Sequence, residues 1–357
     1  MRRLIMMAWA ASAAVLMAVP ALGQQAAPEI AFDGDVDFLK IPAEVYFGEV
    51  AGVAVNSRGH VFVFSRGGTI GPAFGAAAAQ LFEFDQRGTF VREIGKGMYS
   101  MSYAHSVRID RDDNIWLVDK GSDMIVKLTP AGRVAMVFGR KKEASDEAVP
   151  WTRVAPPRAH VDGQFRQPTD VTWDPQGNIF ISDGYINSRV AKFSRAGDWV
   201  KSWGEKGTKD GEFDTPHSIA SDARGNIYVA DRGNRRIQVF DADGTFVRSI
   251  SVNVPAPPDA KPAIGNPPAA NVTGTQAPGA PWALCITPGP NQVLFMSDAF
   301  PGRIYKLSLD GQLLGVLGTS GKQAKQFGWI HEIACPSANE LYVAELLNWR
   351  VQKLTLK

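Results

Sequence analysis

Short stretches of alternating hydrophobic and polar residues, separated by polar turns, recur along most of the chain. The clearest example is PHSIASDARGNIYVADRGNRRIQVF at 216–240. HSIAS and NIYVA have the alternation of strands, while DARGN and DRGNR are rich in turn-forming residues. IQVF and the later TFVRSI add a third and a fourth strand. This stretch therefore predicts one four-stranded antiparallel unit.

The same phrase recurs at intervals of roughly 50 residues, which indicates a repeat architecture. Further copies begin at Ala104, Pro168, Pro281 and Ile330, and a looser copy begins at Val50. Six copies predict an all-β fold, a six-bladed β-propeller formed as one domain over 24–357. The last copy stops after its third strand, so we expect the N-terminal segment 36–42, VDFLKIP, to supply the fourth strand. Closing the ring in this way removes exposed sheet edges.

Residues 1–23 have the pattern of a secretory signal peptide, with Arg2 and Arg3 before an apolar run and ALG at its end. A retained anchor is the alternative, but the run is a little short for a membrane span. We expect a secreted or periplasmic protein, cleaved near Gly23 and without stable membrane insertion. Cleavage removes two of 38 basic residues and none of 36 acidic ones, so the mature chain is neutral. A neutral chain without a basic tract argues against a nucleic-acid partner.

The two cysteines, Cys285 and Cys335, lie in the first strands of adjacent copies at offsets that differ by one. Alternation places them on opposite faces of their strands, which could let them meet between blades. An exported protein permits a disulfide. Two buried free thiols are the plainer interpretation of so few cysteines.

Three of the five histidines, His105, His217 and His331, occupy the same position at the start of the first strand in copies two, four and six. The first strand of each blade lines the central channel, so these side chains converge from alternate blades. Three neutral imidazoles with an open fourth position are a ligand set of catalytic zinc. Alternatively, each histidine fills the channel and hydrogen-bonds a neighbouring carbonyl. His60 and His160 lie outside the set.

Residues just after each second strand share the face of the three histidines, because antiparallel pairing returns the chain there. Arg66 and Arg232 stand at this position in blades one and four, across the ring, and Tyr185 lies beside it in blade three. Two guanidinium groups facing a metal indicate an anionic substrate, most simply a carboxylate. Alternatively, the arginines pair with acidic residues of nearby turns. The insertions 140–166, 253–280 and 67–79 are expected to rim this face.

The motifs FSRGG, AHSV, QPTDV, SDGYINSRV, PHSIA, VADRGNRRIQVF and IHEIA resemble the peptidyl-α-hydroxyglycine α-amidating lyase family of NHL-repeat propellers. That resemblance covers nearly all of 24–357. It implies cleavage of a peptide ending in α-hydroxyglycine into a peptide amide and glyoxylate. It also implies a zinc site, three active-site side chains and a channel calcium. The zinc ligands would be His105, His217 and His331; the active-site residues Tyr185, Arg66 and Arg232; and the calcium ligands the carbonyls of Val53 and Val107 with the side chain of Glu332.

The chain departs from the family pattern at several points. Glu332 replaces an aspartate, which puts the calcium site in doubt, and Ile186 and Val239 stand where animal members have cysteines. A copper monooxygenase domain is not found in this chain, so another protein must supply the hydroxylated substrate or the substrate differs.

The resemblance and the residue types together predict a mechanism in which zinc polarises the substrate hydroxyl and Tyr185 removes its proton. One arginine would hold the carboxylate and the other the phenolate. The expected partner is a peptide or small molecule with a C-terminal carboxylate. A monomer is the working expectation, although nothing in the sequence sets the oligomeric state. Two alternatives remain open: a secreted NHL propeller that only binds a protein or peptide, and a lyase or hydrolase for a different small substrate.

Overall fold

The structure is a computed structural model that describes residues 27–67, 79–142, 153–268 and 274–357. Its strands form six four-stranded antiparallel sheets arranged as the blades of a β-propeller. The predicted signal peptide at 1–23 lies outside the described residues. None of the described helices is long and apolar enough to cross a membrane.

Each blade runs from an inner strand to an outer one in chain order, and one early strand, β1, belongs to the last blade. Strand β1 is Phe32–Asp35. Blade one contains β2 (Glu49–Val55), β3 (Val61–Arg66), β4 (Ala79–Phe84) and β5 (Phe90–Ile94). Blade two contains β6 (Ala104–Ile109), β7 (Ile115–Asp119), β8 (Met124–Leu128) and β9 (Val134–Gly139). Blade three contains β10 (Asp170–Trp173), β11 (Ile179–Asp183), β12 (Arg189–Phe193) and β13 (Trp199–Trp203).

The second half of the ring follows the same plan. Blade four contains β14 (Pro216–Ser221), β15 (Ile227–Asp231), a 3₁₀ turn (Arg232–Asn234), β16 (Arg236–Phe240) and β17 (Phe246–Ile250). Blade five contains β18 (Leu284–Ile286), β19 (Leu294–Ser297), β20 (Ile304–Leu307) and β21 (Leu313–Leu317). A short parallel pair, β22 (Thr319–Ser320) and β23 (Gln326–Phe327), leads to blade six, which contains β24 (Ile330–Ala334), β25 (Glu340–Glu345) and β26 (Arg350–Leu356).

The ring closes through an N-terminal strand, as expected, but the strand is not the predicted one. Strand β1 pairs antiparallel with β26, from Phe32 opposite Leu356 to Asp35 opposite Lys353. The predicted segment 36–42 instead passes toward blade one, where the Lys40 amide donates to the Gly88 carbonyl at 2.7 Å. Alternating hydrophobicity alone cannot choose between two neighbouring stretches of strand character, and the pairing with β26 is made by the earlier one.

Apolar side chains fill the spaces between successive blades. Among the described residues, six buried clusters correspond to the six blade interfaces. Phe64 and Leu117 pack between blades one and two, for example, and Tyr228 and Tyr305 pack between blades four and five. Sheet faces thus bury their apolar side chains against neighbouring sheets and leave the inner strands to line the channel.

Cys285 and Cys335 form a disulfide between the inner strands of blades five and six, with Cα atoms 6.0 Å apart. The interpretation that favoured two free thiols is therefore wrong. The pairing was possible because the two side chains point toward each other across one blade interface.

A buried carboxylate ends the second strand of several blades and positions the start of the first. Asp231 accepts a hydrogen bond from the Asp214 amide at 2.7 Å, and Glu345 accepts one from the Gly328 amide at 2.7 Å. Asp183 accepts from the Arg166 amide at 3.0 Å. These bonds hold the segments that enter the first strands, where the candidate site lies.

Candidate active site

The three predicted histidines lie together at one mouth of the channel, each at a local irregularity of its first strand. His105, His217 and His331 belong to β6, β14 and β24 and are all buried. The pairing register of each strand shifts at the histidine, as in a β-bulge. A bulge leaves a residue outside the ladder and re-aims its side chain. These shifts therefore turn the imidazoles toward the channel axis.

The three imidazoles are close enough to share one ion. Their ring centroids are 4.8 Å (His105 and His217), 4.6 Å (His105 and His331) and 4.9 Å (His217 and His331) apart. One ligand nitrogen from each ring lies within 4.8 Å of the other two. The predicted convergence is thus present, and the arrangement is compatible with a bound metal.

Backbone carbonyls from the intervening blades determine which nitrogen of each imidazole faces the axis. Each Nδ1 bonds the carbonyl of the residue at the equivalent position in the next blade. The pairs are His105 with Thr169 (2.6 Å), His217 with Trp282 (2.7 Å) and His331 with Ala51 (2.7 Å). A carbonyl only accepts, so Nδ1 must carry the proton and Nε2 keeps a free lone pair. Both interpretations of the histidines therefore hold, because the carbonyl bond leaves Nε2 available as a ligand.

Burial, followed by nearby positive charge, holds the pKa of all three histidines well below the usual value. For His217 the strongest neighbouring charge is Arg232, and for His331 it is Arg66. The imidazoles are neutral near pH 7 and ready to donate lone pairs to a metal. A neutral, fixed tautomer in each of three rings is what an N₃ metal site requires.

The Tyr185 hydroxyl points at the same centre. It lies 3.3 Å from His105 Nε2 and 3.2 Å from His217 Nε2. Burial alone would raise the pKa of Tyr185, but the charges of Arg232, Lys120 and Arg66 outweigh burial and lower it. The position of the phenol and its lowered pKa therefore favour loss of its proton.

Arg232 is buried above the histidines, as predicted. Its guanidinium carbon lies 4.3 Å from the Trp282 ring centroid and 5.5 Å from that of Tyr185. Within the described part of the chain, its Nε and Nη1 have no hydrogen-bond partner. A buried guanidinium with unused donors is costly unless a ligand satisfies it, so this side chain has the character of an anion-binding group.

Arg66 lies at the rim of this face and pairs with an acidic residue. Its Nη1 lies 2.6 Å from Glu49 Oε2, and its Nε donates to the Ala104 carbonyl at 2.9 Å. The guanidinium carbon also stacks 4.0 Å from the Tyr103 ring centroid. Glu49 opposes Arg66 across the first two strands of blade one, a pairing the repeat pattern did not reveal. Arg66 is thus held at the rim by a hydrogen bond to the residue that precedes His105.

Two further cations reach the site. Lys120 Nζ lies 3.6 Å from the Tyr185 ring centroid. Its position after the second strand matches that of Arg66 and Arg232, so the repeat phase could have identified it. Arg153 donates from Nε to the Tyr185 carbonyl at 2.6 Å and from Nη2 to Thr215 Oγ1 at 2.5 Å. Arg153 belongs to an insertion without repeat register, so no sequence signal marked it.

The described parts of the predicted rim do border this face. Arg153 lies in 140–166, of which 143–152 fall outside the described residues. Segment 253–280, described except for 269–273, is tied by Arg235 to the Pro278 carbonyl at 2.6 Å and by Trp282 Nε1 to the Thr275 carbonyl at 2.5 Å. Segment 67–79 lies mostly outside the described residues.

Val53, Val107 and Glu332 do not fit the calcium site that the resemblance implies. Glu332 Oε2 accepts hydrogen bonds from the amides of Val53 (2.9 Å) and Val107 (3.2 Å). Its Oε1 lies 3.1 Å from the Arg108 Nε. The carboxylate that should bind the ion is therefore already satisfied by a guanidinium and two amides. The sequence pattern showed the carboxylate but not the arginine that lies beside it.

Fold and site together define a class, an NHL-repeat β-propeller with three convergent histidines at one mouth of its channel. The NHL repeat family matches residues 213–240. Mouse peptidyl-glycine alpha-amidating monooxygenase is 32% identical over 62% of this chain, and a probable peptidyl-alpha-hydroxyglycine alpha-amidating lyase of Caenorhabditis elegans is 30% identical over 55%. The chain spans 24% of the mouse protein and 56% of the worm protein. The chain thus contains an NHL repeat and is similar over more than half of its length to proteins named as amidating lyases.

Human NHL repeat-containing protein 3 is also similar, with 30% identity over 58% of this chain and 56% of its own length. Among solved structures, a streptogramin B lyase superposes with a TM-score of 0.55 over 91% of this chain and 98% of its own, at 15% identity. At that identity the likeness concerns the fold alone.

Proposed function

We propose that this protein is a zinc-dependent lyase that cleaves the C–N bond of a peptidyl α-hydroxyglycine, or of a smaller N-acyl analogue, into an amide and glyoxylate. The observation that carries the proposal is the convergence of three Nε2 lone pairs beside the Tyr185 hydroxyl, beneath a cluster of cations. The lyases among its relatives supply the reaction class.

The charge of the site supports an anionic substrate. The positive charges of Arg232, Arg66 and Lys120 act on the Tyr185 hydroxyl and on the histidines, and Arg153 contacts the Tyr185 carbonyl. Arg232 has two unused donors, Nε and Nη1, which acceptors of a bound anion can satisfy. We assign Arg232 both to the substrate carboxylate and, together with Lys120 and Arg66, to stabilisation of the Tyr185 phenolate.

The chemistry then needs a base and a polarised hydroxyl. A zinc ion held by the three Nε2 atoms would supply Lewis acidity toward the substrate's α-hydroxyl. The Tyr185 phenolate removes the hydroxyl proton, and the C–O bond becomes the C=O of an aldehyde. The C–N bond breaks with its electron pair on nitrogen, which takes up a proton and leaves as the amide. The carbon fragment leaves as glyoxylate, with its carboxylate still on Arg232.

We place this activity outside the cytoplasm, after removal of a signal peptide near Gly23. The disulfide between Cys285 and Cys335 supports that placement, because such bonds persist in oxidising compartments. The substrate is a peptide or small molecule with a C-terminal carboxylate, and no nucleic acid is involved.

Glyoxylate release from an N-acyl-α-hydroxyglycine by the zinc-loaded protein tests the proposal. The wild type should release glyoxylate faster than the spontaneous reaction, and His217→Ala should abolish the difference. His60→Ala is the matched control, since His60 bonds Glu83 at 2.8 Å at the opposite end of blade one. Equal rates in the wild type and His217→Ala would refute the lyase assignment.

A second candidate is a propeller that binds a protein or peptide on the same face without catalysis. Its support is the similarity to human NHL repeat-containing protein 3, whose name states a repeat and no reaction. Stoichiometric zinc together with no glyoxylate release from peptidyl or small substrates would support this candidate over the lyase.

A further inference from the structure

A second polar layer lies in the channel directly beneath the three histidines. Ser106, Ser218 and Glu332, which immediately follow His105, His217 and His331, belong to this layer. Ser106 Oγ lies 2.7 Å from Asp170 Oδ1 and 2.8 Å from Glu332 Oε1. Ser218 Oγ donates to Asp170 Oδ2 at 2.7 Å. Two buried carboxylates, Asp170 and Glu332, therefore link the three histidine strands through the residues that follow the histidines.

Arg108 is the cation of this layer. Its Nε and Nη2 donate to Asp170 Oδ1 at 2.9 Å and Oδ2 at 2.6 Å, a bidentate pair, and its Nε lies 3.1 Å from Glu332 Oε1. It also contacts Ser218 Oγ, the Leu284 carbonyl and the Ile333 carbonyl at 3.3, 3.3 and 3.4 Å. Its side chain is only 14% exposed.

These contacts join the whole ring. Arg108 comes from blade two and reaches blade three through Asp170, blade four through Ser218, blade five through Leu284 and blade six through Glu332. Glu332 in turn accepts the Val53 amide of blade one at 2.9 Å. A planar guanidinium suits this role because its donors spread in fixed directions toward several acceptors.

We propose that Arg108 is a positioning residue that serves as a built-in channel cation in place of a divalent metal, and that it holds the three histidine strands in register. The positive charge and the inter-blade bonds that an ion would supply come from a side chain. The part of this proposal that concerns the histidines rests on their proposed function as metal ligands. The part in which Arg108 takes the place of an ion does not rest on that function.

Two measurements on the full mature chain test the proposal, and neither depends on activity. First, calcium is titrated into the wild type by calorimetry and thermal unfolding. We expect no binding in the channel and no rise in the thermal midpoint. One tightly bound calcium per chain that raises the midpoint would overturn the proposal.

Second, cobalt(II) affinity of the histidines is measured by visible absorption in Arg108→Met and in the control Arg248→Met. Arg248 is a partly buried arginine on outer strand β17 that donates to the Leu309 carbonyl, far from the channel. Loss of outer-shell support typically weakens metal binding about 10–100-fold, which we expect for Arg108→Met alone. Equal cobalt affinities in the two variants would contradict a positioning role.

If Arg108→Met does not fold, Arg108→Lys and Arg248→Lys replace the pair, because lysine keeps the charge but lacks the planar fork that pairs with Asp170 through two nitrogens. The same selective loss of cobalt affinity is then expected. If the wild type itself binds no cobalt, the proposed lyase function fails, while the calcium titration still decides whether Arg108 has replaced an ion.

Discussion

At the scale of single residues, the chemistry depends on how neutral side chains are oriented among cations. The Nδ1 bonds of His105, His217 and His331 to backbone carbonyls leave every Nε2 directed at one centre. Tyr185 is an acid–base side chain that contacts this centre, through His105 and His217. Steady-state kinetics can test whether Tyr185 acts as the base or only contacts the histidines.

Replacing Tyr185 by Phe should lower kcat by about 10²–10⁴-fold and change KM little, because general bases contribute about that much to a rate. Steady-state glyoxylate release from zinc-loaded protein measures both constants. Tyr46→Phe, at a tyrosine that is 78% exposed, is the control. An unchanged kcat in Tyr185→Phe would mean that another group is the base.

Replacing Lys120 by Met should move the acidic limb of the kcat/KM pH profile to higher pH. A base acts when deprotonated, so the rate rises with pH up to the pKa of Tyr185, and Lys120 is one of the charges that lower this pKa. Removing that charge raises the pKa, and more alkaline solution is then needed. Lys96→Met, at a lysine with 83% side-chain exposure, should leave the profile in place. A profile that does not move in Lys120→Met would exclude Tyr185 as the titrating group.

At the scale of strands, irregularities position the site more than the regular pairing does. Each histidine stands where the first strand changes register. The second strand ends in an arginine in blade one and in a buried carboxylate in blades two, three, four and six. The inner strands of blades five and six are further joined by the disulfide. Because strands must stay aligned across blade interfaces, such links contribute to the precision of the site.

Breaking the disulfide with Cys285→Ser should lower the free energy of unfolding by about 2–4 kcal/mol, since the bond closes a loop across 50 residues of chain. Urea unfolding of the variant and the oxidised wild type measures the difference. Dithiothreitol should destabilise the wild type similarly and have no effect on the double variant Cys285→Ser, Cys335→Ser. Equal stability of oxidised wild type and variant would indicate that the thiols are not paired in solution.

At the scale of the whole molecule, the ring brings together residues that are far apart in the chain. Ser106 meets Glu332 across 226 positions, and Val53 meets Glu332 across 279. Closure by β1 against β26 joins the two ends of the described propeller. The cluster of three histidines and the Arg108 layer therefore form only in the closed ring.

Removing the metal should abolish glyoxylate release but leave the propeller folded. The blade interfaces are apolar and the Arg108 layer is made of side chains, so the fold does not depend on an ion. Activity and circular dichroism are compared before and after dialysis against a zinc chelator, and zinc is then added back. Unfolding of the metal-free protein would contradict this account of the channel.

Much of the site follows from repeat phase. His105, His217 and His331 share one position in three copies, and Arg232 with Tyr185 lies after the second strand, so periodicity alone places them on one face. Lys120 also stands just after a second strand, so the repeat phase places it on the same face. Arg153 carries none, because insertions do not share the register of the repeats.

Strand count, propeller architecture and the meeting of alternate-blade histidines could be predicted because they depend on local alternation and a repeat period, both of which are properties of the chain order. The partner of Arg66, the disulfide, the strand that closes the ring and the Arg108 network depend on contacts between distant residues in three dimensions. Such contacts are selected by distance and direction across blade interfaces, which alternation does not encode. This is why Glu332 resembles a calcium ligand in the sequence and is an arginine's partner in the folded protein.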